Sequence, residues 1–381
     1  MRIGFLTSDL NHHHGWGRYS LNLIQALRAA GVDVAVVAAR NSDLLDGVPV
    51  APLLPAIYPK DSRMLLRMLA QAQSTYAFLN QCDIIHCTVE FYAPLAAWVA
   101  GKRPLFITGH GSYVQIAHER HWPVSALYRR AFYKAQVICV SHYTAQVAAS
   151  VLPGLRTVVV NNGVDVARFA ALAHHVVPRG AHDIASTMTQ NKPVILAVGA
   201  VKARKGILEL VQAIPAVRRE IPEAECVVIG SLTMETAYVE RVRTTIMELG
   251  LSDCVHLLGH VSEAALLEWY NRASVFAVPS LNDGWKFEGY GLVHLEASGA
   301  GLPVIGTTDC GIEDAIEDEG TGLLVSQTRI AEELPQAIIR ILSDPDLAAR
   351  MGAAGRAKAA TQTWDRVAGQ MINLYKKTLK S

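Results

Sequence analysis

No apolar run reaches the roughly 18 residues that a membrane-spanning helix needs, so no transmembrane span is expected. Neither sign of charge is in excess: 35 Lys and Arg stand against 34 Asp and Glu, which gives no support to a nucleic-acid-binding surface. Cysteine is sparse, six in 381 residues, and no two are spaced C-x-x-C. Cys82, Cys87, Cys139, Cys226, Cys254 and Cys310 read as buried free thiols of a reducing compartment. The N-terminus, Met1-Arg2-Ile3-Gly4-Phe5-Leu6-Thr7, enters a strand at once with no signal-peptide apolar region. The expectation is a cytoplasmic enzyme, able to visit the inner face of a membrane at most peripherally. With 51% hydrophobic and 18% charged residues, the chain can bury a large core and is not disordered. Its length suits about two domains.

Strand and helix patterns alternate throughout, the signature of a parallel α/β architecture. The first half predicts strands near 2–7, 33–38, 83–87, 104–108, 136–140 and 156–160, with helices between them near 18–30, 62–80, 92–100, 124–135 and 142–151. Residues 171–192 hold no sustained period and read as a linker; the neighbouring His174 and His175 lack metal-ligand spacing. A second series starts at Pro193, with strands near 225–230, 254–258, 274–278, 303–306 and 322–325. Helices predicted over 345–359 and 363–378 close the chain with no strand after them. Two such halves imply a cleft, with ligands at the carboxyl ends of strands.

Four loops after strands carry candidate chemistry. Ser8 to Tyr19 holds Gly15 and Gly17, where backbone can approach a ligand closely. It is not G-x-G-x-x-G, since position 20 is Ser, so a nicotinamide cofactor is poorly supported. Adjacent histidines on a loop rarely converge on one ion and no partner Asp/Glu cluster is visible, so the triplet His12-His13-His14 reads as a solvated or substrate-facing loop, not a metal site. Thr108-Gly109-His110-Gly111-Ser112 exposes His110 between two glycines; it is either a turn histidine or a group touching a ligand. Lys202-Ala203-Arg204-Lys205-Gly206 puts three cations at a helix N-terminus, against the dipole's preference for anions. Either a bound anion such as a diphosphate resolves that conflict, or the run is a solvated charge cluster. Last comes Glu288-Gly289-Tyr290-Gly291-Leu292-Val293-His294-Leu295-Glu296, with two carboxylates eight apart in a loop that meets a helix N-terminus. Glu288 suits hydrogen bonds from sugar hydroxyls.

Taken jointly these segments resemble the retaining glycosyltransferases of family 4. Glu288 to Glu296 resembles the family's E-x7-E motif, and Asn162-Gly163-Val164-Asp165 with Phe169 its N-G-V-D-x3-F segment. Val198-Gly199 with Lys205-Gly206 resembles its V-G-R-x4-K-G segment, although Ala200 stands where the Arg is usual. The stretch from Leu281 to Phe287 is also longer than the common spacing. The resemblance implies a GT-B fold of two Rossmann-like domains facing a cleft. An acceptor-side domain would span 1–170, a donor-side domain 193–360, and a helix at 361–381 would cross back to the first domain.

The family pattern also implies roles. Glu288 would hold the donor sugar's hydroxyls, Glu296 the ribose, and Lys205, with Arg204, the diphosphate. Amides near Gly289, Tyr290, Gly291, Leu292 and Val293 would help bind donor phosphate, with Gly15 and Gly17 lining the phosphate side. His110 would sit near the transferred sugar. The implied reaction is hexose transfer from a nucleoside diphosphate sugar to an acceptor hydroxyl with retention, through an ion-pair-like intermediate and without metal or cofactor. The rivals are a sugar-nucleotide epimerase, a sugar-phosphate synthase and a non-catalytic sugar-nucleotide-binding module. Two basic, apolar stretches, Lys60 to Leu69 and His118 to Lys134, are candidates for contact with a membrane or lipid-linked acceptor; the alternative is helices packed on the sheet with a solvated basic edge. Nucleotide base, hexose and acceptor are not legible.

Overall fold

Strands buried on both faces are near-continuous apolar runs in a parallel sheet, and β1 (Arg2–Leu6), β2 (Asp33–Ala39) and β4 (Ile84–Cys87) are of this kind. They belong to a seven-stranded sheet ordered β3-β2-β1-β4-β5-β6-β7 and parallel throughout. The remaining members are β3 (Val50–Leu54), β5 (Leu105–Gly109), β6 (Gln136–Cys139) and β7 (Thr157–Val159). The computed structural model describes residues 1–11, 15–57, 63–170 and 192–380. A second sheet, also parallel, runs β10-β9-β8-β11-β12-β13. It is built from β8 (Val194–Val198), β9 (Glu225–Ile229), β10 (Val255–Gly259), β11 (Val275–Ala277), β12 (Val304–Thr307) and β13 (Gly322–Val325).

The chain divides into one unit of Met1–Gly163 with Trp364–Ser381 and another of Val164–Thr363. This corrects the boundary expected at 170. Val164 donates its N–H to Gln362 O at 2.8 Å, and Phe169 packs edge-on against Tyr270, so the N-G-V-D-x3-F segment is anchored in the second unit from Val164 on. The expected linker lies outside the described residues except for Lys192, as do His174 and His175. The last helix, Trp364–Lys380, buries Trp364, Val367, Ala368, Met371 and Tyr375, one stripe at helical spacing. It lies on the helix Gly15–Ala29, and Tyr375 OH meets His86 Nδ1 at 2.6 Å.

Two other expectations differ. β3 goes unpredicted because Pro52 interrupts its apolar pattern; at the sheet's edge a residue without N–H is tolerated, and the pairing with β2 shifts register there. The single helix expected over 62–80 is two, Met64–Leu69 and Ala72–Leu79, parted at Ala70–Gln71. All six cysteines are buried and unbridged. Among the described residues no helix is long and apolar enough to cross a membrane.

Candidate functional site

In each sheet the strand order reverses once, between β1 and β4 and between β8 and β11. Loops leaving the carboxyl ends of those strands diverge, which opens a crevice there. The sequence places its charged loops at these points.

In the second unit, β8 runs into Gly199 and then the short turn Ala203–Lys205, which ends at Gly206 in left-handed backbone (φ 65°). A Cβ on Gly206 would stand 2.0 Å from Pro279 O. Only glycine lets this turn press against the end of β11, and Leu281 N–H to Arg204 O (2.9 Å) ties the two loops together. That approach brings Arg204 Nη1 and Lys205 Nζ each to 2.6 Å from Glu288 Oε2, with Ser280 Oγ at 3.3 Å from the same oxygen. The clash of cations with the helix dipole is thus met within the chain by Glu288, a counter-charge that spacing alone did not reveal. Burial pushes the Glu288 carboxyl up, but the Arg204 and Lys205 charges outweigh it and hold it well below the usual carboxylate range. Lys202 is lowered by burial and by the Arg204 and Lys205 charges, as expected where cations crowd. Glu235 adds one further carboxylate, accepting from Ala203 N–H at 3.0 Å.

The loop from Glu288 enters the helix Leu292–Ala300 through Gly291, also left-handed (φ 80°). Gly289, Tyr290 and Gly291 are buried in this turn. Leu292 and Val293 are first-turn residues, whose amides have no acceptor within their own helix. Beneath the turn, His294 is fully buried and donates Nε2–H to Val278 O at 3.1 Å. Among the described residues its Nδ1 has no hydrogen-bond partner, and burial lowers its pKa to about 4. Sequence reasoning passed over His294, and only its burial marks it. Glu296 does not join the Glu288 cluster. It is buried, accepts from Tyr270 OH at 3.3 Å and lies 3.8 Å from Arg168 Nη1; Arg168 also pairs with Glu263.

Gly15, Gly17 and His110 belong to the first unit. The helix Gly15–Ala29 starts at Gly15, where a Cβ would meet nothing within 4 Å, whereas on Gly17 it would fall 1.7 Å from Asp9 Oδ1. Gly17 is therefore required by packing against the loop after β1. Trp16 stands between Phe91 (5.8 Å) and Tyr113 (5.6 Å). His12 to His14 lie outside the described residues. His110 follows β5, half-buried, its ring edge-on to Tyr19 at 4.5 Å. Ring Nε2 donates to Thr88 O at 2.7 Å, which fixes the tautomer, and the His110 N–H donates to Glu90 Oε1 at 2.6 Å. Burial lowers the imidazole to about 4, so it is neutral near pH 7. Glu90 and Thr88 carried no signal in the sequence beyond their place after a strand.

Of the two basic stretches, Lys60 to Ser62 lie outside the described residues. In the other, Lys134 is turned inward, its Nζ at 2.5 Å from Ala97 O and 2.7 Å from Gly101 O, where it caps a preceding helix. Arg129 and Arg130 are exposed, and so is Trp122, at 83%.

Two family models match the sequence: "Glycosyl transferases group 1" over residues 181–358 and "Glycosyltransferase Family 4" over residues 14–168. A GDP-mannose-dependent alpha-(1-6)-phosphatidylinositol monomannoside mannosyltransferase of Mycobacterium tuberculosis is 33% identical over 188 residues, 49% of this chain and 48% of that protein. The chain thus spans about half the length of that relative. The protein of the same description from Mycolicibacterium smegmatis is 31% identical over 281 residues, 69% of each chain. Among solved structures, sucrose-phosphate synthase from Thermosynechococcus elongatus superposes with a TM-score of 0.77 at 23% identity, covering 99% of this chain and 98% of the other.

Proposed function

The chain belongs to the family 4 (group 1) glycosyltransferases and has their GT-B fold, and on that premise we infer that it transfers a hexose from a nucleoside diphosphate sugar to an acceptor hydroxyl with retention at the anomeric carbon. The observation that carries this reading is the convergence of Arg204 and Lys205 on Glu288 at the carboxyl ends of β8 and β11. One carboxylate holds two cations in place, and the surplus positive charge suits a diphosphate whose charge grows as it leaves. In this reading the cations do the work that a divalent metal does elsewhere, and no cofactor takes part. The first-turn amides of Leu292 and Val293 add donors for phosphate oxygens. Glu288, anchored through Oε2, presents its carboxylate to sugar hydroxyls, and Glu296 takes the ribose. His110 offers a neutral imidazole near the transferred sugar, its Nε2 proton committed to Thr88 O.

The mycobacterial relatives are described by their use of GDP-mannose and a phosphatidylinositol mannoside. That puts a guanosine donor and a lipid-linked polyol acceptor first among the candidates here. Trp122, Leu127, Arg129, Arg130 and Tyr133 are all exposed within one short stretch, and this mix of apolar and basic side chains suits an anionic membrane surface. The test is a panel of nucleotide sugars read by thermal shift and then by nucleoside diphosphate release with acceptor present. No shift with any donor, and no release, removes the transferase reading. Sedimentation with anionic liposomes at low salt tests the membrane contact; protein left in the supernatant removes it.

A further inference from the structure

His110 stands between Gly109 and Gly111, and Gly111 adopts φ 143°. Flanking glycines give a backbone little stiffness of its own, so the position of His110 is set by what grips it. Two grips come from one short segment after β4: Thr88 O takes the ring Nε2–H and Glu90 Oε1 takes the backbone N–H at 2.6 Å. Glu90 is fully buried at the start of the turn Glu90–Tyr92. Among the described residues its Oε2 has no hydrogen-bond partner and no cation pairs with it. An ionised carboxylate in such a place is costly.

We propose that Glu90 is the positioning residue for His110, and that it holds the loop in place as a neutral acid with its proton on Oε2. The proposal rests on the reading of His110 as a group beside the transferred sugar. Among the described residues, the titratable groups that face Glu90 are Cys87 from β4, Cys139 at the end of β6 and His110 itself, none of them a cation near neutral pH. Burial pushes the Glu90 carboxyl up to about 8, against the opposing pull of backbone hydrogen bonds from its own amide and that of His110. Ionisation above that value puts an uncompensated charge in the core, and the turn that grips His110 rearranges.

The test compares the full chain with Glu90→Gln, which keeps an acceptor for the His110 amide but cannot ionise, and with Glu90→Ala, which removes the grip. In wild type, kcat falls above about pH 8; in Glu90→Gln that alkaline limb is lost. Glu90→Ala lowers kcat about 10- to 100-fold at every pH with donor KM little changed, as misplacement of a reacting group does. An alkaline limb unchanged in Glu90→Gln, or a normal kcat in Glu90→Ala, overturns the proposal. A second measurement needs neither variant nor activity. In wild type labelled for carboxyl and amide NMR, one glutamate carboxyl and the His110 amide shift together with a midpoint near 8. A chain that transfers no sugar yet shows this coupled titration supports the positioning role and removes the transferase reading alone. An active transferase whose carboxyls all titrate in the ordinary range overturns the positioning role alone.

Discussion

Lys205 Nζ lies 2.6 Å from Glu288 Oε2 across 83 positions of sequence, and Arg204 shares the same oxygen. The arrangement is asymmetric: one carboxylate serves two cations. Lys205→Ala leaves Glu288 still paired with Arg204, while Glu288→Gln leaves two adjacent cations facing each other. Glu288→Gln is therefore expected to destabilise more, by about 1–3 kcal/mol, and Lys205→Ala less. Both are expected to cut turnover about 100-fold or more with the fold retained. Denaturant melts and steady-state rates on the two variants check this, and near-normal activity in both would sink the assignment of roles. A nucleoside diphosphate should restore the melting temperature of Glu288→Gln more than that of wild type, because the anion replaces the missing counter-charge.

The glycines separate packing from ligand contact. Gly206→Ala demands left-handed backbone from a residue with a Cβ, and puts that Cβ 2.0 Å from Pro279 O. It is expected to cost at least about 1–2 kcal/mol and to displace Arg204 and Lys205, so activity and melting temperature fall together. Gly15→Ala meets open space. Its melting temperature is expected to hold or rise slightly, and a fall in kcat/KM there reports contact with the donor. An unchanged kcat/KM removes Gly15 from the donor site. Gly17→Ala is uninformative about ligands, since it drives a Cβ into Asp9 and fails by packing.

Much of this was legible because parallel strands announce themselves. Val194–Val198 and Glu225–Ile229 are buried along their whole length, and their mostly apolar runs admit few other readings. β3 was illegible because an edge strand bends to a proline that a central strand would reject. The E-x7-E spacing singled out the loop from Glu288 to Glu296, yet gave the two glutamates no partners. Those partners are long-range: Arg204 and Lys205 reach Glu288 only because Gly206 permits a close approach, and Arg168 lies far from Glu296 in sequence. Glu90 shows the limit most plainly. A glutamate after a strand reads as a solvated residue, and only its full burial against the His110 amide gives it meaning.

Acid should unfold the protein through histidines that the core keeps neutral. His86 bridges Tyr375 OH and Thr108 Oγ1 with no exposure, and burial lowers it from the ordinary 6.5 to about 3. His294 is lowered to about 4 in the same way. The unfolded chain binds a proton at each site below about 6.5, while the folded chain resists until the lower value. Stability from this source is complete above pH 6.5 and is lost as pH falls toward 4, by about 1.4 kcal/mol per unit per histidine. His294→Gln keeps a donor for Val278 O and removes one such proton. Its stability is expected to fall less steeply than wild type between pH 6.5 and 4.5 by about that slope. Glu90 titrates with the opposite sign but is common to both proteins, so it cancels in the difference. Parallel slopes would show that His294 is already protonated in the fold.

Glu296 is expected to act in binding rather than in chemistry. Arg168 stands between two carboxylates, 3.8 Å from Glu296 Oε1 and paired with Glu263. Tyr270 OH donates to the other oxygen of Glu296 at 3.3 Å. A carboxylate held this way is fixed before any ligand arrives, which suits a group that grips the donor equally in ground and transition states. Such an interaction lowers KM without raising kcat. Glu296→Gln is therefore expected to raise donor KM about tenfold, the worth of roughly one charge-assisted hydrogen bond, with kcat within about twofold of wild type. Arg168→Ala, which leaves Glu296 buried without that cation, is expected to lower the melting temperature as well. The contrast with Glu288→Gln is what checks the division of labour: a kcat defect in Glu296→Gln as deep as that of Glu288→Gln would place both carboxylates at the reacting sugar rather than one at each end of the donor.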